Sequence, residues 1–328
     1  MSRRSKRRRS EPEGAGLRVL VFGAGVLGSL YAARLHEAGS DVTLLARDGR
    51  YRDIVRHGVV LEHFQTGEQT TTEVRVVERV PAHEDFDVCV VMVQYTQLES
   101  ALPVLAAASR IPAFLFMTNY VSGPESMVAA LGRERVLLGH VNAGGERDGH
   151  VVTYMTAEKM TMGELDGSVT DRLKRIAAAF GQAGFPVVIS RNIDSWKRHH
   201  MALVAPICNA MYLNGTSNYR LSRNRHAVRM AVRAAREAMR MLVAEGFPVE
   251  PRRLKLLLVL PEFLLIPLFR RVLGSELMDI GGARHANAAR DEMRRLSSDL
   301  LEMAERSGRR VSTLRDLHHF ADPDLLQS

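Results

Sequence analysis

Two cysteines and one tryptophan in 328 residues leave this chain little with which to build a disulfide scaffold. Cys89 sits in an apolar strand pattern and Cys208 in a helical one, and neither has a C-x-x-C partner. Both read as core thiols of a reducing, cytoplasmic compartment. No spacing of Cys, His, Asp or Glu matches a metal site, and the adjacent pairs His199–His200 and His318–His319 point to different sides of a helix. A secretory signal is also missing, because the N-terminus has no apolar segment. The most apolar run, Leu256 to Phe269, is broken by Pro261, Glu262 and Pro267 and is too short to span a bilayer. It predicts broken helices lining a cleft or a subunit contact.

The net charge of +8 is also less informative than it looks. Arg3, Arg4, Lys6, Arg7, Arg8 and Arg9 carry most of it, leaving the remainder at about +2. Residues 1–16 therefore predict a disordered basic tail and not a fold built for a specific nucleic acid. The chain as a whole, 46% apolar and 25% charged, is ordinary for a globular protein of two domains.

What is present is organised around Leu17 to Arg47. An apolar strand pattern, Leu17 to Phe22, runs into Gly23-Ala24-Gly25-Val26-Leu27-Gly28, and a helical pattern follows to Ala38. In this G-x-G-x-x-G spacing Gly23 permits the tight turn, Gly25 lets backbone approach a pyrophosphate, and Gly28 lets the helix pack on the sheet. The helix N-terminus offers free N–H groups to the anion. A second strand, Val42 to Ala46, ends in Arg47, where an acidic residue would hold a ribose 2′-hydroxyl. A guanidinium suits a 2′-phosphate, with Arg50 close behind and Asp48 as a rival, so the expected cofactor is NADP(H).

Further along, Val59–Leu61, Asp87–Val93, Ala113–Met117, Val136–Val141 and Val187–Ile189 read as strands, and Thr70–Val77 as an outer hairpin strand. The glycine-rich stretch Val141–Glu164 reads as an antiparallel extension of the sheet. From Asp194 onward the pattern is helical, with Gly246 and Gly308 as stops. The expected fold is α/β: a doubly wound parallel sheet over 17–190, with that extension, and an all-helical domain over 191–328.

The order of motifs resembles the ketopantoate reductase (2-dehydropantoate 2-reductase) family over roughly Leu17 to Leu314. The resemblance rests on GAGVLG at 23–28, LLAR ending at Arg47, VMVQYTQLE at 91–99, Asn119, and the glycine-rich run to Gly167. It continues through IDSWK before Arg198, Asn214–Gly215, EGFPV at 245–249 and SELMDIGGARH at 275–285. It implies a Rossmann-type domain, a helical substrate and dimerisation domain, a homodimer, and NADPH-dependent reduction of a small-molecule carbonyl.

The same family pattern implies a lysine and two asparagines on the first C-terminal helix, a second lysine after the fourth strand, and a glutamate after the serine motif. This chain departs at most of these. The second lysine is Gln94, and the glutamate position is Asn287, though Ser275, Asp279 and Asn119 match. On the helix, anchoring on Trp196 puts Arg198 at the lysine position, with Ala202 and Pro206 for the asparagines. Anchoring on Pro206 puts Lys197 there, with Met201 and Ala205. Lys197 and Arg198 are thus the candidate catalytic residues, with His199 or His200 as a substitute acid. Asn119, Asn214, Ser275 and Asn287 are candidate substrate contacts. Gly23 to Gly28, Arg47, Gln94 and Asn119 are candidate cofactor contacts.

A less charged site favours a bulkier carbonyl or imine over ketopantoate. An NADP(H)-binding protein without turnover, and an ordinary ketopantoate reductase, are the alternatives.

Overall fold

The computed structural model describes residues 16–141, 143–156 and 159–321, so the expected basic tail lies almost wholly outside the described residues. The continuous apolar runs become buried parallel strands, as they must when both faces of a sheet are covered. Twelve strands form: β1 (Arg18–Phe22), β2 (Asp41–Leu45), β3 (Val59–His63), β4 (Gln69–Thr72), β5 (Arg75–Val77), β6 (Val88–Val91), β7 (Phe114–Phe116), β8 (Val136–His140), β9 (Ala143–Asp148), β10 (Val151–Thr156), β11 (Met160–Glu164) and β12 (Val187–Ile189).

The main sheet has the order β12-β11-β8-β7-β6-β1-β2-β5. Six of its strands run parallel, β11 runs antiparallel to β8, and β12 follows β11 in parallel. Strand order reverses between β1 and β6, which makes their carboxyl ends the crevice where a ligand enters such a sheet.

Helices of the N-terminal half are α1 (Val26–Glu37), α2 (Asp48–His57), α3 (Leu98–Ala107), α4 (Glu125–Leu131) and α5 (Asp171–Gln182). The sheet ends at Ile189, and α6 (Ile193–Leu213) begins the helical half. There follow α7 (Asn218–Arg223), α8 (Arg225–Ala244), α9 (Lys255–Val259), α10 (Glu262–Leu273), α11 (Glu276–Met278), α12 (His285–Ala288), α13 (Arg290–Arg306) and α14 (Ser312–His318). A buried Ala, Val and Met face of α8 packs on α6, which is buried nearly all round. No described helix is long and apolar enough to cross a membrane.

Two expectations need correction. Thr70–Val77 is not one hairpin strand. Its first half, β4, pairs with β3, and its second half, β5, joins β2 in the main sheet. Likewise only β11 extends the main sheet; β9 and β10 form a hairpin in a second, four-stranded sheet of order β4-β3-β10-β9. Polar β-branched alternation marks strands but not the sheet they join, which tertiary packing decides. Here the second sheet packs on the outer face of α1, with Arg34 donating to the Tyr154 hydroxyl at 2.8 Å. The apolar run at 256–269 does break into two helices, α9 and α10, with Pro261 at the break.

Candidate functional site

The glycine turn has the shape its spacing implies. Gly23 lies at φ +113°, in the left-handed region, where a Cβ would also strike the Met92 carbonyl 2.7 Å away. A Cβ on Gly28 would run into the Gly23 carbonyl, so α1 can pack this closely only with glycine there. Gly25 differs from both: it is exposed, it is the N-cap of α1, and its Cβ position meets no atom within 4 Å. It supplies no side-chain cap, and the first turn of α1 holds no acidic residue. The first amides of α1 therefore face an open cradle fitted to an anion. Ala24, Val26 and Leu27 complete that turn, Ala24 buried and the other two half-buried.

Arg47 is exposed at the N-terminus of α2 and lines an open cleft of about 700 Å³ with Asp48, Glu78, Arg79 and Arg110. Arg50 is otherwise employed: it donates to the Ala24 carbonyl and the Ser29 hydroxyl, bracing the glycine turn from α2. Gln94 and Asn119 follow the neighbouring strands β6 and β7. Gln94 is exposed and caps a short 3₁₀ turn with Gln97. Asn119 is half-buried beside Thr118, whose hydroxyl donates to the Val93 carbonyl and ties the two loops together.

On α6 the structure treats the two candidate acids differently. Arg198 is buried, and its guanidinium donates to Asp194 and to the Val121 carbonyl and lies 4.1 Å over the Phe247 ring. Those contacts employ it as a strut. Lys197, 1% exposed, points instead to the sheet: its Nζ donates to the Gly139 carbonyl of β8 at 2.6 Å and lies 5.2 Å from the Tyr120 ring centre. Gly139 is its one hydrogen-bond acceptor among the described residues, of the three an ammonium can serve. Burial lowers its proton affinity to about 7, against the pull of Asp194 and Glu292.

Met201 and Ala205, four and eight residues on, are buried along the same side of α6. His199 is buried with Nδ1 2.9 Å from the Ser195 carbonyl, and burial lowers its proton affinity. His200 lies in an aromatic group with His140 and Trp196, ring centres 4.1 and 5.2 Å away.

The remaining candidates sit elsewhere. Asn214 closes the far end of α6, about 25 Å along the axis from Lys197; its amide donates to the Ala210 carbonyl and accepts from Asn224. Ser275 caps α11, and Asn287 is exposed on α12. Sequence reasoning missed Glu292 and Tyr95. Glu292, on α13, is 3% exposed and accepts from the Tyr95 backbone N–H at 2.8 Å. Its signal in the sequence, one acid among the charges of an amphipathic helix, is no different from a surface position.

Residues 19–167 match the protein-family model described as ketopantoate reductase PanE/ApbA. An uncharacterized oxidoreductase of Bacillus subtilis, YkpB, is 29% identical over 193 residues, 56% of this chain and 61% of that protein. Matches to the first curated relatives, which include 2-dehydropantoate 2-reductases, span only about three fifths of those proteins' length. By structure, a PanE/ApbA family ketopantoate reductase from Ralstonia eutropha aligns with TM-score 0.75 at 20% identity, over 92% of this chain and 96% of that one. A D-mandelate dehydrogenase solved with NADH and anilino(oxo)acetate aligns with TM-score 0.76 at 14% identity, over 94% and 98%.

The sign of the Lys197 shift fixes a pH dependence. Between about pH 7 and the ordinary lysine value of 10.5 the unfolded chain binds a proton that folded Lys197 does not, so this residue makes stability rise with pH across that window. Below it the full penalty of burying the ammonium remains. Lys197→Met should remove that rise and leave the protein more stable at pH 6, on the order of a few kcal/mol. Urea unfolding at a series of pH values measures it; an unchanged slope between pH 7 and 10 refutes the assignment.

Proposed function

We propose that this chain, which belongs to the ketopantoate reductase family, is an NADP(H)-dependent reductase of a carbonyl or imine substrate other than ketopantoate. The observation that carries the reading is Lys197: a buried amine whose proton affinity is near neutrality, on the first helix of the C-terminal half, facing the sheet. When bound, the nicotinamide supplies a hydride. The chain's own work is to hold the cofactor and to manage the charge that develops on the substrate oxygen. The open cradle at Gly25 and the amides of α1 suit the pyrophosphate, with Gln94 and Asn119 as further contacts at the strand ends. Lys197 as ammonium stabilises the oxyanion and then gives up a proton, which an amine of proton affinity near 7 does readily at physiological pH. Arg198 serves as the support beneath it.

Met201 and Ala205 stand where the family pattern implies asparagines, so the hydrogen bonds those amides would supply are missing, which favours a less polar substrate. The D-mandelate dehydrogenase neighbour with its aromatic ligand supports this direction. Ketopantoate would lose two or three hydrogen bonds of about 1–3 kcal/mol each. Its kcat/KM should therefore fall two to five orders of magnitude, roughly, below that of a site that keeps them. Steady-state NADPH oxidation with ketopantoate, aromatic 2-keto acids and cyclic imines tests this. Efficient turnover of ketopantoate restores the ordinary family function, whereas tight NADPH binding with no turnover of any compound favours a binding protein.

Arg47 is the proposed 2′-phosphate contact, by its place at the end of β2 and its exposure on the open cleft. Arg47→Ala should weaken NADPH binding about tenfold or more and leave NADH binding little changed. Equal losses for the two cofactors, read by fluorescence titration, would sink the assignment.

A homodimer is the proposed assembly, through α9 and α10. Val259 (72% exposed), Phe263 (69%), Leu256, Leu264, Leu268 and Val272 share that surface. Contiguous exposed apolar faces on monomers are mostly limited to ~300–600 Å², and larger ones mark association sites. Sedimentation should show a dimer that Phe263→Asp converts to monomer; a wild-type monomer at micromolar concentration refutes the assembly.

A further inference from the structure

The glycine turn that opens α1 is held from outside by one side chain. Arg50, half-buried on α2, commits a donor from each of its three nitrogens. Nε donates to the Ala24 carbonyl at 3.2 Å, Nη2 to the Ser29 hydroxyl at 2.9 Å and Nη1 to the His150 carbonyl at 3.2 Å. The Ser29 hydroxyl, on α1, donates in turn to the same Ala24 carbonyl at 3.2 Å. The Ala24 oxygen thus accepts two hydrogen bonds, as many as it has lone pairs.

That oxygen belongs to the peptide joining Ala24 to Gly25. A trans peptide is planar, so its C=O and N–H point in opposite directions. Holding the oxygen on the Arg50 side turns the Gly25 N–H away from α2, and no described residue accepts from it. The turn does not fix this orientation by itself, because Gly25 has no Cβ to restrict rotation of the peptide before it. Were that peptide to turn over, the Ala24 oxygen and not an N–H would be offered where α1 begins. For an anion the exchange replaces attraction by repulsion.

The second sheet sets the grip. His150 lies at the tip of the β9–β10 hairpin, its ring stacked on His57 at the end of α2 with ring centres 4.3 Å apart. Arg147 of the same hairpin lies 3.8 Å from Asp53 of α2. The guanidinium of Arg50 is therefore fixed between the glycine turn, α1 and the hairpin tip.

We propose that Arg50 is a positioning residue for the cofactor: it fixes the Ala24–Gly25 peptide so that the turn presents an N–H, and not a carbonyl, to the pyrophosphate. The proposal rests on the reading of the open cradle at Gly25 as the pyrophosphate site. It gives Arg50 a role distinct from that of Arg47. The 2′-phosphate proposed for Arg47 belongs to NADPH alone, whereas the pyrophosphate is common to NADPH and NADH. Lysine is no substitute at position 50. It keeps the charge, but its single nitrogen replaces a rigid fork and cannot serve all three acceptors.

Fluorescence titration of the full chain with NADPH and with NADH, beside calorimetry with 2′-AMP, tests the assignment. 2′-AMP carries the adenine and the 2′-phosphate but no pyrophosphate. Arg50→Gln and Arg50→Lys should each weaken both dinucleotides about tenfold, by the same factor, and leave 2′-AMP binding unchanged. A loss confined to NADPH would make Arg50 a 2′-phosphate contact. Wild-type affinity in the Lys variant would mean that charge alone matters. A parallel loss of 2′-AMP would mean that α2 as a whole had shifted. Each of these overturns the proposal, as does a Gln variant that binds both dinucleotides as wild type does. The Lys variant decides alone should the Gln variant not fold. A wild-type chain that binds neither dinucleotide overturns the cofactor reading and this proposal together, whereas wild-type binding that survives both substitutions overturns this proposal alone.

Discussion

Three consecutive basic side chains buried on one helix set the terms for the rest of this molecule. Lys197, Arg198 and His199 follow one another at the start of α6, and all three are inside. Successive residues of a helix point about 100° apart, so no single partner can serve them. An unpaired charge in such a place costs several kcal/mol, and each side chain must find its own compensation. Lys197 finds a carbonyl on β8, an interior strand of the sheet, and the ring of Tyr120. Arg198 finds Asp194 on its own helix, a carbonyl in the loop after β7, and the ring of Phe247 beyond α8. His199 turns back on the Ser195 carbonyl, and its Nε2 has no partner among the described residues. This turn therefore rivets the two halves of the chain together.

The same requirement separates the candidate acids. An arginine spent on a carboxylate, a carbonyl and an aromatic ring has little left to offer a substrate. A lysine held by one carbonyl keeps donors in reserve, and its burial shifts it towards the neutral form. Residues adjacent in sequence thus differ, one spent on its contacts and the other with donors in reserve, because of what surrounds them.

Features that depend on neighbours in the chain were legible in the sequence: the glycine turn, the apolar strands, the long helices from Asp194 and the break at Pro261. Each is decided within a few residues. Thr70–Val77 was not, because its pattern fits a strand in either sheet and the choice is made by α1 and β2 at a distance. Asn214 and Ser275 look like binding residues for the same reason that they make good helix ends, a short polar group near unpaired backbone. Which of Lys197 and Arg198 meets the sheet could not be read either, since the two registers differ by one residue and only packing against β8 tells them apart. Glu292 was invisible, being one charge in a helix rich in them until Tyr95 is laid against it.

A site built this way is closed in the state described. With Lys197 at 1% exposure, nothing reaches it from solvent unless α6 and β8 separate or neighbouring side chains give way. Polar ties that cross between the halves include Lys197 to Gly139, Tyr95 to Glu292 and Asp299, and Arg284 to Glu146. Each such bond is worth about 0.5–3 kcal/mol net, the charged ones at the upper end, because water replaces what is broken. Separation is therefore affordable, whereas parting the apolar contacts of α6 with α8 would expose a core. In the proposed reading, what reaches Lys197 then depends on those few polar bonds.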